Sequence, residues 1–210
     1  MNRRSLLVSA GALALASALP ASALQRPLTP DEEQLIRDIG THNSRIRTMV
    51  GRFLQIDTQG QRIEGTFYLE RPGKIRFRYN PPSREEIISV GRGFYVIDRR
   101  EQTQYAYPQD RIPLRQFLDA EIDFFRTNIV GFTEASGYAS ITLSDDTPIG
   151  VVEVSLLFDS ETKDLVQWSL VEPSGAELTF SLYDVQKDVE IPRSYFYIDP
   201  TYRSVEPGRR

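Results

Sequence analysis

The sequence predicts a mainly β protein with a few helices, arranged as an incomplete, half-open antiparallel β-barrel under an α-helical lid. Three observations predict it. From Thr48 onward apolar residues recur at every second position in short runs, the pattern of strands with one wet and one dry face. Turn residues separate these runs at hairpin spacing, so neighbours in sequence should be neighbours in the sheet. Two segments depart from the alternation with a helical period and a single apolar stripe each, and these can cover the dry face. Alternation alone leaves open whether the sheet closes, and it also fits an ordinary sandwich core.

The chain opens "MNRRSLLVSAGALALASALPASALQ". Two arginines, an apolar alanine-rich run and a small-x-small "ASA" are the marks of a secretory signal peptide, expected over 1–23 with cleavage near Ala23. Arg3-Arg4 also suits twin-arginine export, and both export routes stay open. One domain is expected over 24–210. The sequence has no cysteine, so neither a disulfide nor a lipid anchor after the leader is expected, although an exported compartment permits both. Without Arg3 and Arg4, 23 Lys+Arg stand against 29 Asp+Glu, a net charge of about −6. That balance argues against nucleic acid as a partner, and a monomer is expected.

In "LTPDEEQLIRDIGTHNSRIRTMV" Thr29 suits an N-cap, Pro30 the first helical position and Glu32 the reciprocal partner of a capping box. Leu35, Ile36, Ile39 and Ile46 form the apolar stripe, and Gly40 with "THNS" weakens the middle. Strands follow in "TMVGRFLQI", "RIEGTFYLER", "IRFRY", "EIISV", "GRGFYVIDRR" and "EQTQYAYP". A second amphipathic helix is expected in "IPLRQFLDAEIDFFRTNI", with Leu114, Phe117, Leu118, Ile122 and Phe125 on its stripe. Strands resume in "YASITL", "VVEVSLLF", "LVQWSLV", "ELTFSLYDV" and "SYFYI". Val166, Trp168 and Leu170, then Leu178, Phe180 and Leu182, continue one apolar face. The expectation is ten or eleven strands, all with antiparallel neighbours. Residues 131–137 remain unassigned, and the tail from Pro200 reads as mobile or as a final edge segment.

The turn at Pro72-Gly73 decides a register. A strict two-residue hairpin would put Phe67 and Leu69 on the face of Arg76 and Arg78, which wastes both faces. An odd loop or a bulge at Gly73 groups Phe67, Leu69 and Arg71 with Ile75, Phe77 and Tyr79. The odd loop is preferred, and it leaves Arg71 at the end of an apolar face, either solvated at a strand end or turned inward.

Catalytic material is scarce. His42 is the only histidine, which leaves nothing for Ser-His-Asp or Cys-His chemistry or for a His/Cys metal cluster. The carboxylates of "DEE", "REE" and "DAEIDFF" read as a helix start, a loop and a wet helix face. No glycine-rich loop precedes a helix. No enzyme activity, cofactor or metal is expected.

"IRTMVGRFLQ", "GTFYLERPGKIRFRYNPP", "ISVGRGFYVID" and "ELTFSLYDVQKDVEIPRSYFYIDP" resemble the outer-membrane lipoprotein carrier (LolA-type) family. The most specific part is Gly-x-x-x-Leu-x-Arg-Pro, here Gly65, Leu69, Arg71 and Pro72. The resemblance implies a periplasmic chaperone that takes lipoproteins from an ATP-driven (ABC-type) release complex in the inner membrane to an outer-membrane receptor. It implies that Arg71 is the latch of the lid. It also implies that Ile75 and Phe77 belong to the acyl-binding face and its rim, a rim position where the family carries an aromatic in place of Ile75.

Three acyl chains of about sixteen carbons would cost on the order of 40 kcal/mol to expose, at about 0.8 kcal/mol per methylene. A carrier therefore needs a continuous apolar trough. Candidates to line one are Phe53, Phe67, Leu69, Ile75, Phe77, Val154, Leu156, Trp168 and Phe180. Leu35, Ile39, Leu114, Phe117 and Leu118 are candidates for its lid. The alternative is a half-barrel module that senses lipoproteins for a regulatory partner or binds hydrophobic ligands generally.

Overall fold

A computed structural model describes residues 26–109, 115–147 and 150–205. The expected leader over 1–23 and the lid candidate Leu114 lie outside the described residues. Helix α1 (Pro30–Arg45) begins as its sequence dictates. The Thr29 hydroxyl accepts from the Glu32 N–H at 3.3 Å, and the Glu32 carboxylate accepts from the Thr29 N–H at 2.7 Å. These bonds satisfy two of the donors that every helix start leaves bare.

The strands are β1 (Thr48–Asp57), β2 (Arg62–Glu70), β3 (Lys74–Tyr79), β4 (Glu85–Val90), β5 (Gly93–Asp98), β6 (Thr103–Pro108), β7 (Asn128–Ala135), β8 (Tyr138–Thr147), β9 (Gly150–Asp159), β10 (Leu165–Val171), β11 (Glu177–Lys187) and β12 (Arg203–Val205). They form one sheet in the order β12-β6-β5-β4-β3-β2-β1-β11-β10-β9-β8-β7, which does not close. The sheet is strongly bent. β3 and β10 are four places apart in that order, about 19 Å if the sheet were flat, yet the Phe77 and Trp168 ring centres lie 6.5 Å apart.

The β2–β3 loop is the odd one. Glu70 pairs with Lys74, Leu69 with Ile75 and Phe67 with Phe77, so the loop is Arg71-Pro72-Gly73. Gly73 takes φ +76° to close it, a conformation that side chains resist.

Four expectations need correction. Among the described residues the sheet has twelve strands rather than ten or eleven: β7 takes up the end of the expected second helix and the unassigned stretch after it, and β12 forms in the tail, as a final edge segment. Not every neighbour is antiparallel, because β12 pairs parallel with β6. The second helix is absent as such among the described residues; the 115–126 stretch holds only 3₁₀ turns at Arg115–Leu118 and Phe124–Arg126. Topology supplies the reason: β6 and β7 lie toward opposite ends of the sheet, and the joining segment crosses the inner face. Its backbone is bonded across that crossing, with the Leu118 carbonyl accepting from Gly73 N–H and the Ile122 N–H donating to Ser44 Oγ. "SYFYI", finally, is not a strand but a 3₁₀ turn at Arg193–Phe196 on the outer face. There the Tyr195 ring lies 4.6 Å from Tyr68, and its carbonyl accepts from Arg76 at 2.7 Å.

That outer face also buries a charge. Glu86 is 3% exposed and is ringed by Arg76, by Arg99 at 3.1 Å and by Arg78 at 3.5 Å. A carboxylate taken out of water is tolerated only when so paired.

Candidate functional site: an apolar hollow under a crossing segment

The inner face has a filled half and a hollow half. Over β8 and β9, Ile36 and Ile39 of α1 join Ile122 and Phe124 of the crossing segment against Ala139, Ile141, Leu156 and Phe158, all buried in one core. Phe124 meets Phe158 edge to face at 5.9 Å. The helix approaches the crossing segment so closely that a Cβ on Gly40 would sit 2.7 Å from the Ile122 carbonyl oxygen. The next residues pin the helix outward to three places. His42 Nε2 lies 2.7 Å from the Asp164 carboxylate, Asn43 Nδ2 donates to the Lys163 carbonyl at 2.8 Å, and Ser44 Oγ accepts from Ile122 N–H at 2.7 Å. Burial works against ionising Asp164, but the hydrogen bonds from Lys187 and His42 outweigh it and hold its carboxyl below the ordinary range.

Between β2–β5 and β10–β11 the space is empty. A cavity of about 240 Å³ is lined by Met49, Phe67, Leu69, Ile75, Phe77, Ile87, Phe94, Leu165, Trp168, Leu170, Leu178, Phe180 and Leu182, and is covered by Phe117 and Leu118. Every one of these side chains is apolar. Trp168 stacks on Phe180 with centroids 4.1 Å apart and planes 8° from parallel, forming a flat wall.

Of the residues expected to line a trough, Phe67, Leu69, Ile75, Phe77, Trp168 and Phe180 border this cavity. Phe53 is fully buried instead, its ring folded down over Gly65, where a Cβ would lie 2.5 Å from it. Val154 and Leu156 belong to the packed core and do not border the cavity. Of the expected lid residues, Ile39 is buried and Leu35 half-buried in the filled half, whereas Phe117 and Leu118 stand over the cavity. No α1 residue touches the cavity.

Ile87 and Phe94 escaped the sequence reading, though parity would have found them: Ile87 pairs with Phe77, and Phe94 pairs with Ser89, itself opposite Ile75. Leu165 could not be found that way. A bulge between Leu165 and Gln167 displaces Val166 and turns Leu165 inward.

Arg71 joins the two halves of the cover. By alternation it follows Leu69 on the inner side of β2, and it is only 3% exposed. Its Nε donates to the Phe117 carbonyl at 2.9 Å and its Nη1 to the Ile46 carbonyl at 2.8 Å. Its guanidinium lies 4.5 Å over the Phe117 ring. Beside it the Gly73 N–H reaches the Leu118 carbonyl at 2.8 Å, and Gln109 braces the Gly73 carbonyl at 2.5 Å. Burial, then the nearby Arg47 charge, bring the Arg71 pKa down to about 10. It therefore remains a cation at neutral pH, and bonds from a charged donor are worth about 1.5–3 kcal/mol each.

Residues 44–199 match the family profile described as "Outer membrane lipoprotein carrier protein LolA". Two curated proteins named outer-membrane lipoprotein carrier protein are similar to the chain. That of Methylococcus capsulatus is 41% identical over 64 residues, 27% of this chain and 31% of its own length. That of Alkalilimnicola ehrlichii is 30% identical over 93 residues, 42% of this chain and 44% of its own. The chain thus aligns with less than half the length of either relative. Among solved structures, a LolA-superfamily protein of Nitrosomonas europaea shares 9% identity at TM-score 0.43, covering 78% of this chain and 97% of that one. The Pseudomonas aeruginosa MucA/MucB complex shares 13% at 0.45, covering 83% and 63%. With the profile spanning most of the sheet and the Arg-Pro turn at its centre, this chain belongs to the LolA outer-membrane lipoprotein carrier family.

Proposed function

We propose that this protein is a periplasmic, non-enzymatic carrier that shelters the acyl chains of lipoproteins leaving the inner membrane and conveys them to the outer membrane. One observation carries the reading: an entirely apolar hollow lies beneath Phe117 and Leu118, and a buried arginine ties the Phe117 carbonyl to the Ile46 carbonyl at the end of α1. Exposed hydrocarbon is what such a hollow accepts, and an uncovered one would be a liability in water. In this reading the leader over 1–23 is removed on export. Cargo arrives from an inner-membrane ABC-type release complex and leaves to an outer-membrane receptor where one exists.

Arg71 is the catch. Its bond to the Phe117 carbonyl, beside the Gly73 N–H on the Leu118 carbonyl, biases the cover shut by about 1.5–3 kcal/mol, which incoming hydrocarbon can override. Mature protein incubated with lipoprotein-bearing membranes is expected to lift out a lipidated substrate as a stoichiometric complex; recovery of none removes the proposal. Arg71→Leu is expected to impair release or delivery, and unchanged performance in both steps would remove the catch. A sensing module of the same half-barrel shape would also bind the substrate, but would fail to hand it on.

A further inference from the structure

We infer that Gln109 is the positioning residue of a second catch on the cover, one that acts through the Gly73 N–H and does not need the arginine. The inference rests on the carrier reading for what the cover does, and it deepens that reading by naming a residue that sets how readily the cover lifts.

A buried serine points to it. Along β4, Ser89 follows Ile87 on the inner face, and it pairs with Ile75 on one side and Phe94 on the other. A hydroxyl that is 0% exposed in so apolar a wall is tolerated only when it is hydrogen-bonded. Its partners are Gln109 and the latch loop. Gln109 Nε2 donates to Ser89 Oγ and to the Gly73 carbonyl, each at 2.5 Å, and Ser89 Oγ donates to that same carbonyl at 3.2 Å. Both hydrogens of the Gln109 amide are thereby used, and the Gly73 carbonyl accepts twice.

This clamp fixes a direction. Gly73 stands at φ +76°, where glycine has its greatest freedom, and a carbonyl held from two sides keeps its N–H aimed at the Leu118 carbonyl, 2.8 Å away. Gln109 is anchored in turn, since its own N–H donates to the Arg92 carbonyl at 2.9 Å. It stands just after β6, at the root of the crossing segment, so one side chain joins that root to the loop that holds the cover. Arg71 reaches the Phe117 carbonyl and Gly73 the Leu118 carbonyl, and losing the first bond leaves the second in place. A cavity of about 190 Å³, bordered by Gly73, Gln109, Arg115, Leu118 and Asp119, gives the turn space to move into when the second bond opens.

Native-state hydrogen exchange reads the catch directly, because the Gly73 amide exchanges when its bond to Leu118 opens. Gln109→Met keeps the side chain's length and removes both donors. It is expected to speed Gly73 exchange about fivefold, or about 1 kcal/mol, the value of ordering one residue's backbone in advance. Gln109→Glu, which at neutral pH accepts but cannot donate, should speed it at least as much. In Arg71→Leu the Gly73 amide should stay protected, and adding Gln109→Met should bring a further fivefold. A brace that only stabilised the fold would persist when the cover lifts; it would lower the urea midpoint and leave Gly73 exchange unchanged, and that result overturns the inference. A Gly73 amide already unprotected in Arg71→Leu overturns it too, since the second catch would then depend on the first. Should Gln109→Met not fold, Ser89→Ala carries the test: Gly73 exchange about twofold faster upholds the inference, and unchanged exchange overturns it. None of these measurements needs cargo. The expected exchange rates without lipoprotein uptake would refute the carrier reading alone, and uptake with Gly73 exchange unmoved by Gln109→Met would refute this inference alone.

Discussion

The two halves of the inner face are made of the same residue types and end in opposite states. Over β8 and β9 the leucine, isoleucine and phenylalanine side chains are packed in one core with α1, Ile122 and Phe124, and the space left there is a cleft of about 280 Å³ with a polar rim, which reaches Leu143 and Val154. Between β2–β5 and β10–β11 equally apolar side chains face one turn, and the space is empty. Strand composition does not make the difference; the path of what lies above does. Helix α1 is clamped to the filled half by Gly40, His42, Asn43 and Ser44. Over the hollow, Phe117 and Leu118 hang from two carbonyl bonds to one loop. One half serves stability and the other is left available.

Truncation separates them most sharply. Phe158→Ala in the filled half should cost about 3–5 kcal/mol of unfolding free energy, the loss typical of a buried phenylalanine. Leu170→Ala on the half-exposed cavity wall should cost about 1 kcal/mol or less, since it only enlarges an existing void. Urea midpoints measure both, and equal losses would break the comparison. Gly40→Ala tests the clamp. Helix propensity alone would stabilise by about 1 kcal/mol, but the new methyl meets the Ile122 carbonyl, and overpacking costs about 1–3 kcal/mol. A net loss of about 1 kcal/mol is expected, and a gain would show that the helix stands free of the crossing segment.

The smallest effect belongs to the rim of the clamp. Asp164→Asn should lower stability at pH 7 by about 0.5 kcal/mol, as partly exposed ion pairs do. The Asp164 carboxyl is held below its ordinary pKa by Lys187 and His42. Its contribution is therefore complete above the ordinary carboxylate pKa of about 4 and disappears as pH falls through the lowered value. Native and variant midpoints should converge in acid.

How much of this was legible follows from the range of each interaction. Strand parity is local, so Phe67, Leu69, Ile75, Phe77, Trp168 and Phe180 could be assigned to one face from alternation. The capping box at Thr29 and Glu32 is equally local. Which part of that face would be filled was not legible, because it depends on a segment running from β6 across to β7. That is why Val154 and Leu156 read like cavity residues and are core. It is also why Phe125, placed on a helical stripe, is exposed under Arg37 at 4.6 Å while Phe124 is buried. His42, Asn43 and Ser44 read as a weak spot in a helix. Their partners lie at residues 164, 163 and 122, too distant in sequence for any window to reveal.

The charged cluster beneath the C-terminal turn bears on how the hollow is built at all. Along β4, Glu86 faces outward and Ile87 inward, and a hairpin misaligned by a single residue would exchange them. The three arginines would then lose their anion, and a bare carboxylate would be thrust among Phe77 and Phe94, a penalty no neighbouring group could relieve. Glu86 thus proofreads the alignment of β3, β4 and β5, and the oily lining on one side is guaranteed by an ionic bond on the other.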